Sequence, residues 1–369
     1  MADTEAVLVA MSGGVDSAVA AALLRRAGHA VAGVFMCRGR LPADPFGADR
    51  PRGCCSVADA ADARRVAERL GIAFHVADLQ AEFEALEGDF AEAYHRGLTP
   101  NPCIQCNRTL KFGALLELAD ALGCAAVATG HYAIREAGED GLRLRRARDP
   151  AKDQSYVLLG LDRPILARAR FPVGRLLKRE VRALAADLGL VVAAKPESQD
   201  VCFVAEDYRV YLARRDPDRI RPGRFVDTEG RDLGAHAGHQ GFTVGQRRGL
   251  GRAFGRPMFV LERNAALNRV VLGPAEELGC RGIRVGRVGW ISCAPRPPGT
   301  SFRAVVQIRH RHVPAPAAVR VAAEDRLEVR FEKEVPAVSP GQGAAIYDGD
   351  VLLAGGWIEE AERKRGACA

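Results

Sequence analysis

Ala10-Met11-Ser12-Gly13-Gly14-Val15-Asp16-Ser17 is the stretch whose reading decides the fold. Before it, Ala6 to Ala10 is a short apolar run with the length and content of a buried parallel strand. After it, Val15, Val19, Ala22 and Leu23 recur at helical spacing until Gly28, which predicts a helix over Val15 to Ala27. A second apolar run, His29 to Met36, follows at once. Strand, tight loop, helix and strand in 36 residues predict an α/β unit. Glycines in such a turn let a ligand approach the backbone, and the amides opening a helix receive an anion. Ser12 and Ser17 add hydroxyl donors, and Asp16 is placed to orient a metal ion or a phosphate-bound water. The competing reading is a glycine turn capped by serine and aspartate. The loop is neither the dinucleotide fingerprint nor the lysine-containing phosphate loop.

Working outward, the pattern repeats. A loop rich in Gly, Pro and Asp from Cys37 to Gly53 leads past Cys54-Cys55 to a helix over Val57 to Leu70, a strand over Ile72 to Val76 and a helix over Gln80 to Arg96. Gly97-Leu98-Thr99-Pro100-Asn101-Pro102 breaks that helix. Cys103-Ile104-Gln105-Cys106-Asn107 follows, with a new helix expected from about Arg108 to Leu122. That placement puts Cys106, rather than Cys103, at a helix N-terminus, where the dipole stabilises a thiolate. Two other readings stand: a small buried apolar residue, and a metal site built from Cys54, Cys55, Cys103 and Cys106. Ala125 to Thr129 reads as a fourth strand ending in Gly130-His131-Tyr132, so His131 either faces the crevice at the strand ends or caps the strand. A run from Gly141 to Arg182 holds twelve Lys or Arg against four acids, an excess that suggests a phosphate-rich partner unless it is a solvated face. It contains Lys152-Asp153-Gln154-Ser155-Tyr156. A helix over Leu176 to Leu188 and a polar loop, Lys195 to Asp200, then deliver Cys202-Phe203.

The bounds agree with this organisation. A chain of 369 residues suits two or three domains. The formal charge of +7 suits a polyanionic partner without requiring one. No apolar run approaches a membrane span and Met1 to Glu5 is acidic, which points to the cytoplasm. Ten cysteines are too few for a disulfide scaffold at this length and are expected to be reduced there. Past Asp207 helices give way to short apolar runs between Gly, Pro and Asp. Arg221 to Gly255 reads as a small β-rich domain, Phe259 to Leu272 as a hairpin, and the chain from Ile283 as a small barrel with a frayed tail from Ala361. Arg281 to Arg320 holds eight arginines and no acid, interleaved with Trp290, Phe302, His310 and His312: a nucleic-acid face in composition, or a solvated basic strand surface.

The Ser-Gly-Gly-x-Asp-Ser loop resembles that of the ATP pyrophosphatases. With the two cysteine segments, Ala128-Thr129-Gly130-His131-Tyr132, Lys152 to Tyr156, Thr243 to Gly251 and Pro340-Gly341-Gln342, nearly the whole chain resembles the tRNA-specific 2-thiouridylases. The resemblance implies an N-terminal parallel-sheet ATP-pyrophosphatase domain (1–206, adenine nucleotide alpha-hydrolase-like), a small β-rich central domain (207–280) and a tRNA-binding β-barrel (281–369). It implies ATP, with magnesium, on Ala10, Met11, Ser12, Gly13, Gly14, Val15, Asp16, Ser17, Met36 and Gly130. It makes Cys106 the nucleophile and Cys202 the persulfide carrier, joined in a transient Cys106–Cys202 disulfide. Asn101, Pro102 and Cys103 approach the target uridine, the wobble position of tRNA, while His131, Lys152, Asp153, Gln154, Arg309, His310 and Gln342 contact tRNA. A cysteine desulfurase or sulfur-relay protein supplies sulfur. Some members carry Asp where Cys103 stands, and many an aromatic residue where His310 stands.

The chemistry suits these residues. The C2 oxygen of uracil leaves poorly until AMP is attached to it, and a cysteine persulfide is a soft nucleophile ionised at neutral pH. A second thiol must then take the remaining sulfur into a disulfide. An iron–sulfur cluster on Cys106, Cys202 and a further ligand is a less favoured arrangement of the same thiols. Two other functions remain open: an adenylating ligase or amidotransferase-type synthetase, which leaves both cysteine segments unexplained, and a non-catalytic RNA-binding or sulfur-carrier adaptor, which leaves Asp16 and the thiols unexplained.

Overall fold

Val7, Leu8 and Val9 have no exposed surface, because β1 (Ala6–Ala10) is covered on both faces. Alternation sends Leu8 and Ala10 into one apolar cluster and Val7 and Val9 into another, on opposite sides of the sheet. In the computed structural model, which describes residues 4–39, 56–196, 201–204 and 207–363, β1 leads to α1 (Val15–Arg26), β2 (Ala30–Cys37), α2 (Val57–Leu70), β3 (Ala73–Asp78) and α3 (Gln80–His95). Then come α4 (Pro102–Cys106), a π-helical stretch (Asn107–Ala114), α5 (Leu115–Ala121), β4 (Ala126–Ala128), the hairpin β5 (Ala133–Gly138) and β6 (Gly141–Arg146), α6 (Arg163–Arg168), β7 (Ala169–Arg170) and α7 (Lys178–Asp187).

The first sheet is entirely parallel, in the order β3-β2-β1-β4-β7. Strand order reverses between β1 and β4, and in open parallel sheets the crevice at that reversal, beyond the carboxyl ends, takes the ligand. The loop after β1 and the Thr129-Gly130-His131 turn after β4 flank it. A Cβ on Gly130 would sit 2.6 Å from the Ser17 amide nitrogen and 2.7 Å from the Asp16 carbonyl carbon, so only glycine lets β4 pass this close to the start of α1.

Past Asp207 the chain first makes one more helix, α8 (Tyr208–Arg215), where the sequence suggested only short apolar runs. Asp207 caps it, accepting from the Arg209 amide. The central unit is a four-stranded sheet of β8 (Gly223–Val226), β9 (Asp232–His236), β10 (Phe259–Asn264) and β11 (Arg269–Gly273), in the order β10-β11-β8-β9. The expected hairpin is β10–β11. The remaining strands are β12 (Gly279–Trp290), β13 (Ser301–Gln307), β14 (Ala315–Ala323), β15 (Arg326–Pro336), β16 (Gly343–Asp348) and β17 (Val351–Arg363). Pairing of β12 with β17 closes these six into a barrel, and β6 adds the β5–β6 hairpin to its β17 edge. The tail is ordered further than its composition suggested: Ala361, Glu362 and Arg363 pair with Ile283, Gly282 and Cys280, which completes the closure.

Gly130→Ala should lower the stability of the first domain by about 1–3 kcal/mol, the usual range for forcing an extra methyl into a filled space. Urea unfolding followed by circular dichroism measures it, and an unchanged midpoint would mean that β4 and α1 move apart without cost.

Candidate active site

The Ser12–Ser17 loop is held from inside by its own hydroxyls. The Ser12 amide donates to Ser17 Oγ at 3.2 Å, and Ser17 Oγ donates to the Gly14 carbonyl at 3.1 Å. Gly13 takes a left-handed φ of 71° and lies so close to α2 that a Cβ would meet the Asp59 carbonyl oxygen at 2.3 Å. Lys195 Nζ locks that contact, donating to the Gly13 carbonyl at 2.9 Å and to the carboxylates of Asp59 and Asp62 at 2.6 and 2.5 Å. Asp16 receives Lys178 Nζ at 2.7 and 2.8 Å on its two oxygens and the Tyr132 hydroxyl at 2.7 Å. Ser12 stays exposed, whereas Ala10, Met11, Val15 and Ser17 are buried. Met36, near the end of β2, packs half-buried beside the same sheet edge. The loop is therefore an internally bonded turn opening α1 beyond the carboxyl end of β1, the kind of helix start whose amides can receive an anion.

The cysteine segment differs from its sequence reading. Asn101 Oδ1 accepts from the Cys103 amide at 3.2 Å and Pro102 stands at the first helical position, so the helix starts at Pro102 and not near Arg108. Cys106 is thus a full turn inside it, and Cys103 sits in the first turn instead. Burial pushes the Cys106 thiol up to about 11; Lys111 opposes the shift, and the thiols of Cys202 and Cys103 add to it. The expected lowering by a helix N-terminus does not operate, because desolvation outweighs it. Cys106 is buried, Cys103 is exposed, and the half-buried Cys202 packs against the same cluster as Cys106. The π-helical stretch follows Cys106 directly, and its i→i+5 bonding brings Lys111, five positions on, closer to the Cys106 face than an α-helix would. Cys54 and Cys55 lie outside the described residues. Among the described ones no three Cys, His, Asp or Glu side chains converge as metal ligands.

The residues expected to meet RNA form a connected set. Gln154 Oε1 accepts from the Tyr132 amide at 2.9 Å, which ties Lys152-Asp153-Gln154 to the residue that holds Asp16. Asp153 pairs with Arg146 at 2.8 Å; Arg146 donates to Gln307 Oε1 at 2.9 Å, and Gln307 Nε2 donates to the carbonyls of Arg309 and His310 at 3.1 and 2.8 Å. Tyr156 lies between them, donating to the Gly343 carbonyl at 3.0 Å and 6.3 Å from the His310 ring. Arg309 and His310 are exposed. The side chains of Asp153 and Gln154 are committed to internal bonds, and Gln342 Nε2 spends its donors on the carbonyls of Thr99 and Pro100 at 3.0 and 3.3 Å. Pro102 is buried in the first turn of α4. His131 is also buried: its Nδ1 lies 2.8 Å from Thr129 Oγ1, and burial, with Lys111 nearby, holds the imidazole well below its usual range and hence neutral.

The cationic run from Gly141 to Arg182 is not an open basic face. Arg145, Arg148, Arg168, Arg170, Arg175 and Lys178 pair with Asp350, Glu180, Asp120, Glu5, Glu136 and Asp16. On the barrel, Arg281, Arg284 and Arg320 pair across strands with Glu334, Glu360 and Glu328. Arg303, Arg309 and Arg311 are exposed and take part in none of the ion pairs found among the described residues. Lys178, Lys195 and Lys111 were not singled out by the sequence reading. Lys178 did carry a signal: a lysine opening a helix opposes the helix dipole, and such a misfit asks for an anion nearby.

Comparison with known proteins accounts for nearly all of the chain. Residues 5–206 match the tRNA methyl transferase HUP domain, 210–274 the tRNA methyl transferase PRC-barrel domain and 280–358 the aminomethyltransferase beta-barrel domain. The tRNA-specific 2-thiouridylase MnmA of Geotalea uraniireducens (strain Rf4) is 46% identical over 361 residues, covering 96% of this chain and 95% of that protein. The protein of the same name from Chloroflexus aurantiacus (strain ATCC 29366 / DSM 635 / J-10-fl) is 48% identical over 359 residues, covering 96% and 99%. Among solved structures, a 4-thiouridine synthetase–RNA complex with bound ATP overlays with a TM-score of 0.36 at 18% identity, covering 58% of this chain and 51% of that one, too slight a likeness to bear on the argument.

Alkylation of Cys106 by iodoacetamide should rise with pH towards about 11, after the exposed Cys103 has reacted. Lys111→Met removes the one cation that favours the thiolate, so the Cys106 profile should move to higher pH and its rate at about pH 9 should fall. Mass spectrometry of the modified peptides follows both thiols; a Cys106 midpoint at or below the ordinary thiol value would contradict the burial argument.

Proposed function

The chain belongs to the tRNA-specific 2-thiouridylase family, and on that premise we propose how its residues divide the reaction. The protein is an ATP-dependent tRNA 2-sulfurtransferase, replacing the C2 oxygen of a tRNA uridine with sulfur. The observation that carries the division is that Cys106 and Cys202 share one cluster in the domain whose sheet edge bears the anion loop.

In this reading residues 1–206 are the catalytic unit, 207–280 the central unit and 281–369 the tRNA-binding barrel. The polyphosphate of ATP lies along the Ser12–Ser17 amides, with Met36 and Gly130 lining the crevice. Lys178 holds Asp16 in place and brings a positive charge to the phosphates. The C2 oxygen of the wobble uridine attacks the α-phosphate, pyrophosphate leaves, and the C2 oxygen now departs as AMP. Magnesium would arrive with the nucleotide: Asp16 is a single carboxylate already bonded on both oxygens by Lys178, which does not make a metal site by itself. An iron–sulfur cluster would need a further ligand beside Cys106 and Cys202, and among the described residues no three Cys, His, Asp or Glu side chains converge.

Cys202, half-buried, accepts sulfur from a cysteine desulfurase or relay protein. Its terminal persulfide sulfur attacks C2 and expels AMP, leaving C2 joined through two sulfurs to Cys202. Cys106 then gives up its proton and attacks the Cys202 sulfur. The sulfur–sulfur bond breaks, the electron pair leaves with the sulfur on C2, and a Cys106–Cys202 disulfide remains for a thiol reductant to reopen. A thiol held protonated until this moment does not attack the persulfide early and release its sulfur as sulfide. Asn101 and Cys103 face the base, and Arg309, His310 and Lys152 meet the RNA. Asp153, Gln154, Gln342 and His131 support that surface from within. No described helix is long and apolar enough to cross a membrane, in keeping with a cytoplasmic setting. An adenylating synthetase for a small molecule would leave both thiols and the Arg309 turn without a role.

After incubation with a persulfide donor, Cys202→Ser should carry no extra sulfur and form no thiouridine. Cys106→Ser should load Cys202 with one sulfur and then stall, because serine cannot close a disulfide. Intact-protein and peptide mass spectrometry distinguishes the two, and sulfur on Cys106 in Cys202→Ser would reverse the roles. Arg309→Ala should weaken tRNA binding and reduce its salt slope by about one unit, the effect of one lost phosphate contact. A slope equal to that of the unaltered protein returns Arg309 to the solvated surface.

A further inference from the structure

Arg263, on β10 of the central unit, is 8% exposed, yet it takes part in none of the ion pairs among the described residues. Its Nε and Nη1 atoms are buried without a hydrogen-bond partner. Only Nη2 is engaged, donating to Thr99 Oγ1 at 2.8 Å in a bond that is itself buried. The guanidinium lies 5.6 Å from the ring of Tyr94, which stacks on Tyr208 at 4.7 Å, and among the described residues these two rings are what offsets its charge. Burial correspondingly disfavours the charged form. A buried cation with one hydrogen bond and no carboxylate costs stability, and an apolar side chain of similar volume would pack there more cheaply. What Arg263 gains therefore lies in what that one bond fixes.

Thr99 stands two residues before Asn101, the cap of the helix that carries Cys103 and Cys106. The short break it belongs to is gripped from two sides. The Thr99 amide donates to the Pro340 carbonyl at 2.8 Å and Gln342 Nε2 to the Thr99 carbonyl at 3.0 Å, both from the barrel. From the central unit come the Arg263 bond to the Thr99 side chain and the Arg263 carbonyl, 3.3 Å from where a Cβ on Gly97 would stand. Backbone and side chain of one buried threonine are thus held by different parts of the chain, and the entry angle of α4 follows from both.

We propose that Arg263 is a positioning residue for sulfur transfer: through Thr99 it fixes the first turn of the cysteine helix and keeps the Cys106 thiol buried in line with Cys202. The central unit is then a working part of the active site and not a spacer. The inference deepens the thiouridylase reading, and its kinetic arm rests on that reading; its alkylation arm does not.

Arg263→Met removes the unpaired charge and keeps the volume. Its melting temperature should equal or exceed that of the unaltered protein, while tRNA thiolation kcat falls about tenfold or more and KM for ATP stays within about twofold, as a misplaced reacting group predicts. Cys106 alkylation at neutral pH should accelerate several-fold as the first turn loosens. Thr99→Val should reproduce both effects, the double variant should be no worse than either single one, and Arg263→Lys should restore part of the loss. Unaltered turnover and Cys106 reactivity in Arg263→Met would overturn the proposal. So would a lower melting temperature combined with a silent Thr99→Val, which would make Arg263 a packing residue. If the unaltered protein thiolates no tRNA, the thiouridylase reading fails and alkylation alone decides the clamp.

Discussion

Everything in the active region depends on how residues 97–101 leave α3 and enter the cysteine helix. This short break must turn the chain, cap a new helix and bury its polar groups, and it cannot do so with its own atoms. The barrel supplies a carbonyl and an amide, the central unit supplies a guanidinium, and Asn101 supplies the cap. Buried backbone groups must be paired somewhere, so the position of both Cys103 and Cys106 is set by contacts from units that hold neither residue.

The same logic links the Ser12–Ser17 loop to the Arg309–His310 turn. Asp16 is bonded to Tyr132, Tyr132 to Gln154, and the neighbouring Asp153 through Arg146 and Gln307 to the Arg309–His310 turn. These links are partly buried, and such polar chains polarise and reinforce one another when their members are satisfied. Asp153, Gln154 and Gln342, which the sequence presents as separate polar residues, are joined by internal hydrogen bonds. The two cationic runs differ: between Gly141 and Arg182 most arginines neutralise acids within the fold, whereas between Arg281 and Arg320 only Arg281, Arg284 and Arg320 do so among the described residues, and Arg303, Arg309 and Arg311 remain open to solvent.

Cys106 shows how far local and tertiary effects can diverge. A cysteine beside a helix start suggests a lowered pKa, but the thiol is a turn deeper and desolvated, and its pKa rises. In the sulfur transfer proposed above, a protonated resting thiol would be an advantage, since it would withhold the second nucleophile until the sulfur is on the base. Lys111, five positions on in the π-helical stretch, is the cation whose charge favours the Cys106 thiolate.

The sequence by itself determined the parallel α/β unit, the glycine-serine loop after its first strand and the β-rich remainder. These rest on short-range rules: apolar period, glycine where a ligand approaches, proline and glycine where elements end. It misplaced the start of the cysteine helix, because Asn101-Pro102 caps it earlier than the apolar pattern begins, and it overlooked α8 and the ordered end of β17. Only the tertiary structure decided that Lys178 and Lys195 secure the loop, that the β5–β6 hairpin joins the barrel, and that Arg263 and Gln342 hold Thr99. Each of these pairs residues far apart in the chain, and the physical reason they were illegible is the same. A buried charge or amide must find a partner, but its own neighbours in sequence do not say which one the fold will bring.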